Sequence, residues 1–157
     1  MINLNKNISF IWRNKGKETP INTLIKLRDF CKKNQRNFYI STNVKLAEIF
    51  KAKGVYFSSF NKNLNLRTNK FKKKFKILGS AHNLKEIKIK ELQNIEEIFL
   101  SPLFKEKTNK QLNIYKYLKL REITKMRDIS LGGINNQNIR KLNMIKPFGF
   151  AGISYFE

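Results

Sequence analysis

The stretch Asp128-Ile-Ser-Leu-Gly-Gly-Ile134, followed by Asn135-Asn-Gln-Asn138, decides the fold of this chain. A short apolar run stops at the Gly-Gly pair, and a polar segment then leads to apolar residues at near-helical spacing, Ile139, Leu142 and Ile145. We interpret this order as a strand, a glycine turn and a helix start. Such a turn lets backbone N–H groups approach an anion, and a helix N-terminus adds partial positive charge. A plain tight turn is the commoner use of a Gly-Gly pair, so the elements on either side must decide.

Elsewhere in the chain, short apolar runs alternate with segments of helical periodicity. The predicted strands cover residues 8–12, 37–41, 55–57, 75–78, 97–100, 129–131 and 148–154. The first predicted helix runs from Pro20 to Lys33 with Thr19 as its N-cap, and Asn43 and Gly54 are expected to begin and end the second. Two more helices are indicated by apolar residues at helical spacing, Leu84, Ile87 and Leu92, then Ile114, Leu118 and Ile123. Strands that alternate with helices predict an α/β fold with a parallel sheet.

Size and composition limit the class of protein. The length of 157 residues predicts a single domain, 1–157, and a hydrophobic content of 41% is too high for a disordered chain. No apolar run reaches the roughly 18 to 20 residues that span a bilayer, and the N-terminus lacks the apolar core of a signal peptide. Cys31 is the only cysteine, so we expect a cytoplasmic protein in which Cys31 is a core residue. One cysteine and one histidine cannot build a Cys/His metal site.

The formal charge is +22, from 33 basic and 11 acidic residues. A nucleic-acid surface is one interpretation, and the densest basic run, 69–76, also contains two phenylalanines that could stack on bases. Against this, lysine and asparagine are abundant throughout the chain, as in proteins of A/T-rich genomes, and form no single stripe. We therefore expect salt-sensitive, non-specific attraction to polyanions and no specific nucleic-acid partner.

The ends of the predicted strands are basic and rich in hydroxyl groups. In parallel α/β folds ligands bind at the carboxyl ends of the strands, and almost no carboxylate is found there in this sequence. This composition suits phosphates better than acid/base chemistry by paired carboxylates. The residues at this predicted rim are Arg13, Lys15, Ser41, Asn43, Ser58, Ser59, Ser80, His82, Ser101, Lys105, Lys107, Thr108, Lys110, Gly132, Gly133 and Ser154.

The rim motifs, in their order along the chain, resemble the thiamine phosphate synthase family, which includes thiazole tautomerase relatives. The resemblance covers nearly the whole chain. Arg13 and Lys15 match an Arg-x-Lys motif, and the most specific segments are Gly79-Ser-Ala-His-Asn83, Ile98-Phe-Leu-Ser-Pro-Leu-Phe104, Leu131-Gly-Gly-Ile-Asn135 and Gly149-Phe-Ala-Gly-Ile-Ser154. The resemblance implies a TIM (β/α)8-type barrel and small phosphate and diphosphate substrates. The implied reaction joins an aminopyrimidine methyl diphosphate to a hydroxyethylthiazole phosphate and releases diphosphate.

The resemblance also implies roles for individual residues. Arg13 and Lys15 would hold the diphosphate, and Ser80 would touch it as well. The phosphate of the thiazole would bind at Gly132, Gly133 and Ser154. The family's catalytic-loop lysine falls on Asn109, and Lys110 next to it would replace it after a one-residue shift. Ser41, Thr108 and His82 complete the substrate contacts, His82 more as a hydrogen-bonding residue than as a general base.

The sequence departs from the family at several positions. The family carries Asn-Asp at the end of its third strand, where this chain has Ser41-Thr42, and another Asp whose counterpart is Asn61. Both magnesium carboxylates are thus replaced by neutral oxygens, which support Mg²⁺ only weakly, although substrate phosphates could still carry the ion. A family Gln is Ile11 here, and Pro102 stands where the tautomerases have His, which argues against that activity.

The chain is also short for a complete barrel, which typically has about 250 residues. The first βα unit and the last helix are expected to be missing. Seven strands would leave two sheet edges, to be closed by residues 1–10, by a second copy of the chain in a homodimer, or by sequence before Met1.

Three functions are consistent with the sequence. The first is a transferase of the thiamine-phosphate diphosphorylase type with weakened metal dependence, favoured by retention of Arg13, Lys15, Ser80 and the Gly-Gly turn. The second is a non-catalytic relative that binds phosphate ligands, favoured by the loss of both Asp positions. The third, a basic nucleic-acid-binding protein, is disfavoured by the diffuse charge.

Overall fold

The computed structural model describes residues 7–14, 20–64, 75–104, 111–153 and 155–156. It divides the chain into two compact units, Met1–Ser58 with Thr68–Ile77, and Ser59–Arg67 with Leu78–Glu157. Whether the chain is one domain therefore stays a prediction. Within the described ranges, no helix combines the length and the apolar character needed to cross a membrane.

The first unit contains three parallel strands, β1 (Phe10–Trp12), β2 (Phe38–Ser41) and β3 (Gly54–Phe57), which pair in chain order. Helix α1 (Ile21–Lys33) connects β1 to β2, and α2 (Val44–Ile49) connects β2 to β3. Helix α1 buries Leu24 and Cys31. The prediction that Cys31 is a core residue is confirmed, because only 1% of it is exposed.

The second unit continues the same alternation of strands and helices. Its strands are β4 (Lys76–Ala81, which begins at the end of the first unit), β5 (Glu97–Leu100), β6 (Arg127–Leu131) and β7 (Gly149–Ala151), again parallel and paired in chain order. The connections are α3 (Leu84–Leu92), α4 (Asn113–Ile123), and a 3-10 turn (Ile139–Lys141) followed by α5 (Leu142–Ile145). The predicted α/β fold with a parallel sheet is confirmed.

Apolar residues from strands, helices and the segment after β5 form one core in this unit. Burial of these side chains is the main force that holds the helices on the sheet. The fully or nearly fully buried members are Ala81, Ile87, Ile98, Leu100, Leu103, Leu112, Tyr117, Ile134, Leu142 and Ile145.

Two predictions about helix ends need correction. Pro20 is the N-cap of α1 instead of its first helical residue, and it makes no side-chain capping bond; Thr19 lies outside the described residues. Gly54 does not end α2, whose C-cap is Phe50, but begins β3. A Cβ atom at Gly54 would lie 1.9 Å from the carbonyl oxygen of Lys76, so close backbone approach, and not helix termination, requires glycine there.

The bounds of several other elements differ from the prediction. Strand β1 begins at Phe10 instead of residue 8, and β6 begins at Arg127 instead of residue 129. Strand β4 continues through Ala81 instead of ending at residue 78, and β7 has three residues instead of seven. The helix start predicted after the Gly-Gly turn is a 3-10 turn and four α-helical residues, too short for an appreciable macrodipole. Periodicity locates these elements well but places their ends poorly, because hydrogen bonding to neighbouring strands sets the ends.

Candidate functional site

Two predicted site residues of the first unit lie at the same level of its sheet. The parallel register pairs Trp12 with Ile40, so Arg13, which follows β1, and Ser41, the last residue of β2, come next at the same level. Arg13 is exposed and Ser41 is half-buried. An exposed guanidinium beside a hydroxyl group can bind a phosphate oxygen. Lys15, the other predicted diphosphate contact, lies outside the described residues.

The residues after Ser41 are held by backbone and capping bonds. Thr42 is left-handed, with φ 59, and its N–H donates to the carbonyl oxygen of Tyr56 at 2.9 Å. Asn43 caps α2, as predicted, by accepting the N–H of Leu46 at 2.9 Å. The side chain of Asn43 is therefore committed to the helix, while that of Thr42 is exposed.

The strand ends of the second unit also share one level. Ala81 pairs with Leu100, and Leu100 pairs with Ser130, which brings His82 and Ser101 side by side just beyond β4 and β5. The Nδ1 atom of His82 lies 2.7 Å from the carbonyl oxygen of Ser101 and 3.2 Å from its hydroxyl oxygen. Because a carbonyl oxygen only accepts, we assign a proton to Nδ1. This contact supports the hydrogen-bonding role expected for His82.

A capping box fixes the main chain at His82. The side-chain oxygen of Asn83 accepts the backbone N–H of Glu86 at 3.0 Å, and the side-chain NH2 group of Asn83 donates to the Glu86 carboxylate at 3.0 Å. The same carboxylate accepts the N–H of His82 at 2.7 Å. The sequence carries the signal for this arrangement, since Asn83 is a capping residue with Glu86 three positions later.

The Gly132–Gly133 turn is confirmed, and it is held by its carbonyl groups. Both glycines are left-handed, with φ 96 and 67. The carbonyl oxygen of Gly132 accepts the N–H of Phe104 at 3.1 Å, and that of Gly133 accepts the side-chain amide of Asn138 at 2.7 Å. Asn135 and Asn138 in turn accept each other's backbone N–H at 3.1 and 2.9 Å. The polar segment after the two glycines therefore shapes the turn through Asn135 and Asn138.

Ser80 is not in the loop after β4, where the sequence placed it. It is the penultimate residue of the strand and is 5% exposed, so a ligand would reach it only at the sheet surface. The remaining predicted site residues, Lys110, Thr108 and Ser154, lie outside the described residues. The structure therefore groups Arg13 with Ser41 in the first unit, and separately His82 with Ser101 in the second.

Asn61, for which the resemblance implies the place of a family Asp, makes internal hydrogen bonds with its side chain. Its Oδ1 atom accepts the N–H of Asn63 at 3.0 Å and the side-chain amide of Gln93 at 3.1 Å. Among the residues that the structure describes, no group of three or more His, Cys, Asp or Glu side chains could hold a metal ion.

Comparison with known proteins decides the family. The family model described as thiamine monophosphate synthase matches residues 6–156. The chain belongs to this family. The match includes every strand and turn described above, so the resemblance seen in the rim motifs is confirmed.

Two curated relatives are both thiamine-phosphate synthases. The protein of Prochlorococcus marinus is 31% identical over 138 residues, which are 82% of this chain and 39% of that protein. The protein of a Hydrogenobaculum species is 26% identical over 153 residues, 94% of this chain and 70% of that protein. The chain thus spans only about two fifths of the length of the Prochlorococcus relative.

A solved structure supports the fold. The thiamine phosphate pyrophosphorylase of Pyrococcus furiosus matches with a TM-score of 0.72 at 20% identity, over 88% of this chain and 70% of that one. The fold is accordingly of the TIM-barrel type, incomplete relative to an eight-stranded barrel, with seven strands in the described part of the chain.

Proposed function

We propose that this protein acts in thiamine biosynthesis as a thiamine phosphate synthase-like transferase. Its substrates are an aminopyrimidine methyl diphosphate and a hydroxyethylthiazole phosphate, and its products are thiamine phosphate and diphosphate. The observation that carries the proposal is the Gly132–Gly133 turn, left-handed at both residues, inside a chain whose family match covers 6–156. The backbone N–H groups of the turn are the donors that a phosphate would use.

The chemistry demands charge stabilisation more than proton transfer. The lone pair of the thiazole nitrogen forms the new bond to the methylene carbon, and the bond from that carbon to the diphosphate oxygen breaks. The thiazole nitrogen carries no proton to lose, so no strong base is required. Negative charge develops on the leaving diphosphate, and the guanidinium of Arg13, together with Lys15 and the hydroxyl of Ser41, would stabilise it.

The family generally depends on Mg²⁺, which would neutralise diphosphate charge, but the residues present fit the ion poorly. Thr42 offers a neutral hydroxyl, and the side-chain oxygen of Asn61 already accepts two hydrogen bonds. Mg²⁺ prefers carboxylates. We therefore propose that protein-supplied Mg²⁺ ligands are lost at Thr42 and Asn61, and that the basic side chains take a larger share of the diphosphate charge.

We also propose that the protein works in the cytoplasm on small phosphate and diphosphate compounds without a specific nucleic-acid partner. Its high positive charge would attract these anionic substrates at low ionic strength. A homodimer remains part of the proposal, and sedimentation of the purified protein at several concentrations tests it.

A product assay tests the proposed reaction. Purified protein is incubated with both substrates, with and without Mg²⁺, and thiamine phosphate is measured by mass spectrometry. We expect product from the wild type and a loss of about 100-fold or more in Arg13→Ala. Lys119→Ala, which removes an exposed charge from α4, is the matched control and should retain activity. Equal activity in both variants would show that Arg13 does not contribute to the reaction.

A binding-only relative is the second candidate, and the committed side chain of Asn61 favours it. In that case no product forms, yet the thiazole phosphate still raises the melting temperature of the wild type. Stabilisation that disappears in Gly133→Val identifies the turn as the binding site. Absence of both product and stabilisation excludes both candidates.

A further inference from the structure

Lys90 is a lysine inside the second unit. It lies on α3, and its side chain is 0% exposed, although helical lysines normally keep their ammonium group in water. Its Nζ atom donates to the side-chain oxygen of Gln93 at 2.9 Å and to the backbone carbonyl oxygen of Asn61 at 2.8 Å. The lysine thus connects a helix to the loop 59–64 that follows β3.

Gln93, also 0% exposed, binds the same loop more extensively. Its side-chain amide nitrogen donates to the carbonyl oxygens of Asn61 and Asn63, both at 3.0 Å, and to the Asn61 side chain at 3.1 Å. The loop has its own internal bond from the N–H of Asn63 to the Asn61 side chain at 3.0 Å. Two buried side chains, one on α3 and one at its C-cap, therefore fix the path of the loop's backbone.

Strand β4 makes room for the lysine. A Cβ atom at Gly79 would lie 3.1 Å from Cδ of Lys90 and 3.1 Å from the side chain of Ile95, so any larger residue would press on the buried stem. Burying an ammonium group costs free energy, and burial lowers the pKa of Lys90 to about 8, against the opposing charge of Glu86. A methionine would fill the same space without that cost, so packing alone does not explain a lysine there.

We propose that Lys90 and Gln93 are positioning residues that hold the loop 59–64 rigid at the carboxyl end of β3 for the diphosphate substrate. The loop lies where ligands bind in this class of fold. The identity of the ligand rests on the proposed function. The rigidity of the loop does not depend on the proposed function. Neither side chain needs to touch the substrate, because each acts through the backbone of Asn61.

Hydrogen exchange in Lys90→Met and Gln93→Met tests the rigidity of the loop without substrate. We expect the N–H of Asn63 to exchange at least about tenfold faster in both variants, while amides of β5 keep their protection. Lys88→Met is the matched control, since Lys88 lies on the same helix but is exposed and pairs only with Glu91 among the bonds described. Exchange at Asn63 that is the same in all three variants overturns the inference.

Steady-state kinetics then test the role toward substrate. We expect Lys90→Met to raise KM for the aminopyrimidine diphosphate about tenfold or more, with kcat less affected and thermal stability unchanged or higher. If Lys90 only fills space, KM stays unchanged, because methionine fills the same volume, and that result overturns the positioning role. If the wild type forms no product, the proposed function and the substrate role fail together, while the exchange data still decide whether the loop is anchored.

Discussion

The Nδ1 atom of His82 lies 2.7 Å from the carbonyl oxygen of Ser101, which joins the residues just beyond β4 and β5. Because the proposed reaction leaves no proton on the thiazole nitrogen to remove, we expect His82→Ala to act by loosening this join. KM should rise several-fold while kcat falls less than about 10-fold. A general base would contribute about 100-fold to 10,000-fold, so the two roles are well separated.

The pH dependence of the rate is the measurement that distinguishes them. If His82 only connects the residues beyond β4 and β5, the pH profile of kcat has the same shape in the wild type and in His82→Asn. The side-chain amide of Asn at this position can still donate to Ser101. The prediction would be contradicted if His82→Ala and His82→Asn both lost one limb of the pH profile of kcat together with a large fall in kcat.

Gly133 is left-handed, with φ 67, so a side chain there strains the backbone. We expect Gly133→Ala to lower the free energy of unfolding by about 1–2 kcal/mol and to weaken binding of the thiazole phosphate. Chemical denaturation and ligand-induced thermal shifts measure the two effects. The stability control is Gly149→Ala, whose new Cβ would meet its nearest neighbour, a side-chain carbon of Ile129, at 3.9 Å. Equal losses in the free energy of unfolding in the two variants would mean that the backbone of the turn does not require glycine at position 133.

Much of the fold could be predicted from local pattern. Strand β5 was predicted with its observed bounds, Glu97–Leu100, because a buried parallel strand reads as a continuous apolar run closed by Ser101-Pro102. The Gly-Gly turn and the Asn43 cap were also visible, since each requires a residue type with particular backbone or hydrogen-bonding properties.

The site depends on contacts that no local pattern contains. No local pattern singles out Lys90 as a buried residue, because its partner Asn61 is 29 residues away in sequence. Asn61 was interpreted as a weak substitute for a metal-binding Asp, and only the structure shows its side chain bonded to Gln93. The sequence predicts Ser80 in a loop because it does not show that β4 stays paired with β5 as far as Ala81.

A buried network in the second unit links α4 to β6. The hydroxyl of Tyr117 donates to the carboxylate of Asp128 at 2.7 Å and accepts the hydroxyl of Ser130 at 2.9 Å. Burial is the largest cause of a pKa of Tyr117 that is well above its ordinary value, so the hydroxyl stays protonated and able to donate. Tyr117→Phe removes a donor to a buried charge, and we expect a loss of about 1.5–3 kcal/mol in the free energy of unfolding.

Urea denaturation of Tyr117→Phe and of Tyr115→Phe measures that loss. Tyr115 is on the same helix but is 80% exposed, so its variant should stay within about 0.5 kcal/mol of the wild type. A similar small change in both would show that the Asp128 carboxylate is satisfied by other donors, such as Arg121 at 3.7 Å.

The buried Lys90 predicts an unusual rise of stability with pH. Its pKa in the folded protein is about 8, below the ordinary 10.5, because burial disfavours the ammonium form. Between these two values the unfolded chain binds more protons than the folded one, so the free energy of unfolding must increase as pH rises through this window. The increase is on the order of 3 kcal/mol, and the neutral amine still has enough hydrogens to donate to both Asn61 and Gln93.

The difference in the free energy of unfolding between wild type and Lys90→Met isolates this effect, because other titrating groups largely cancel. At pH 7 the variant should be as stable as the wild type or more so, and the wild type should gain on it steadily between pH 8 and about 10.5. Lys88→Met, which removes an exposed lysine from the same helix, is the matched control for this measurement. A difference for Lys90→Met that does not change with pH would show that the ammonium group is hydrated, and that the loop is not anchored by a buried lysine.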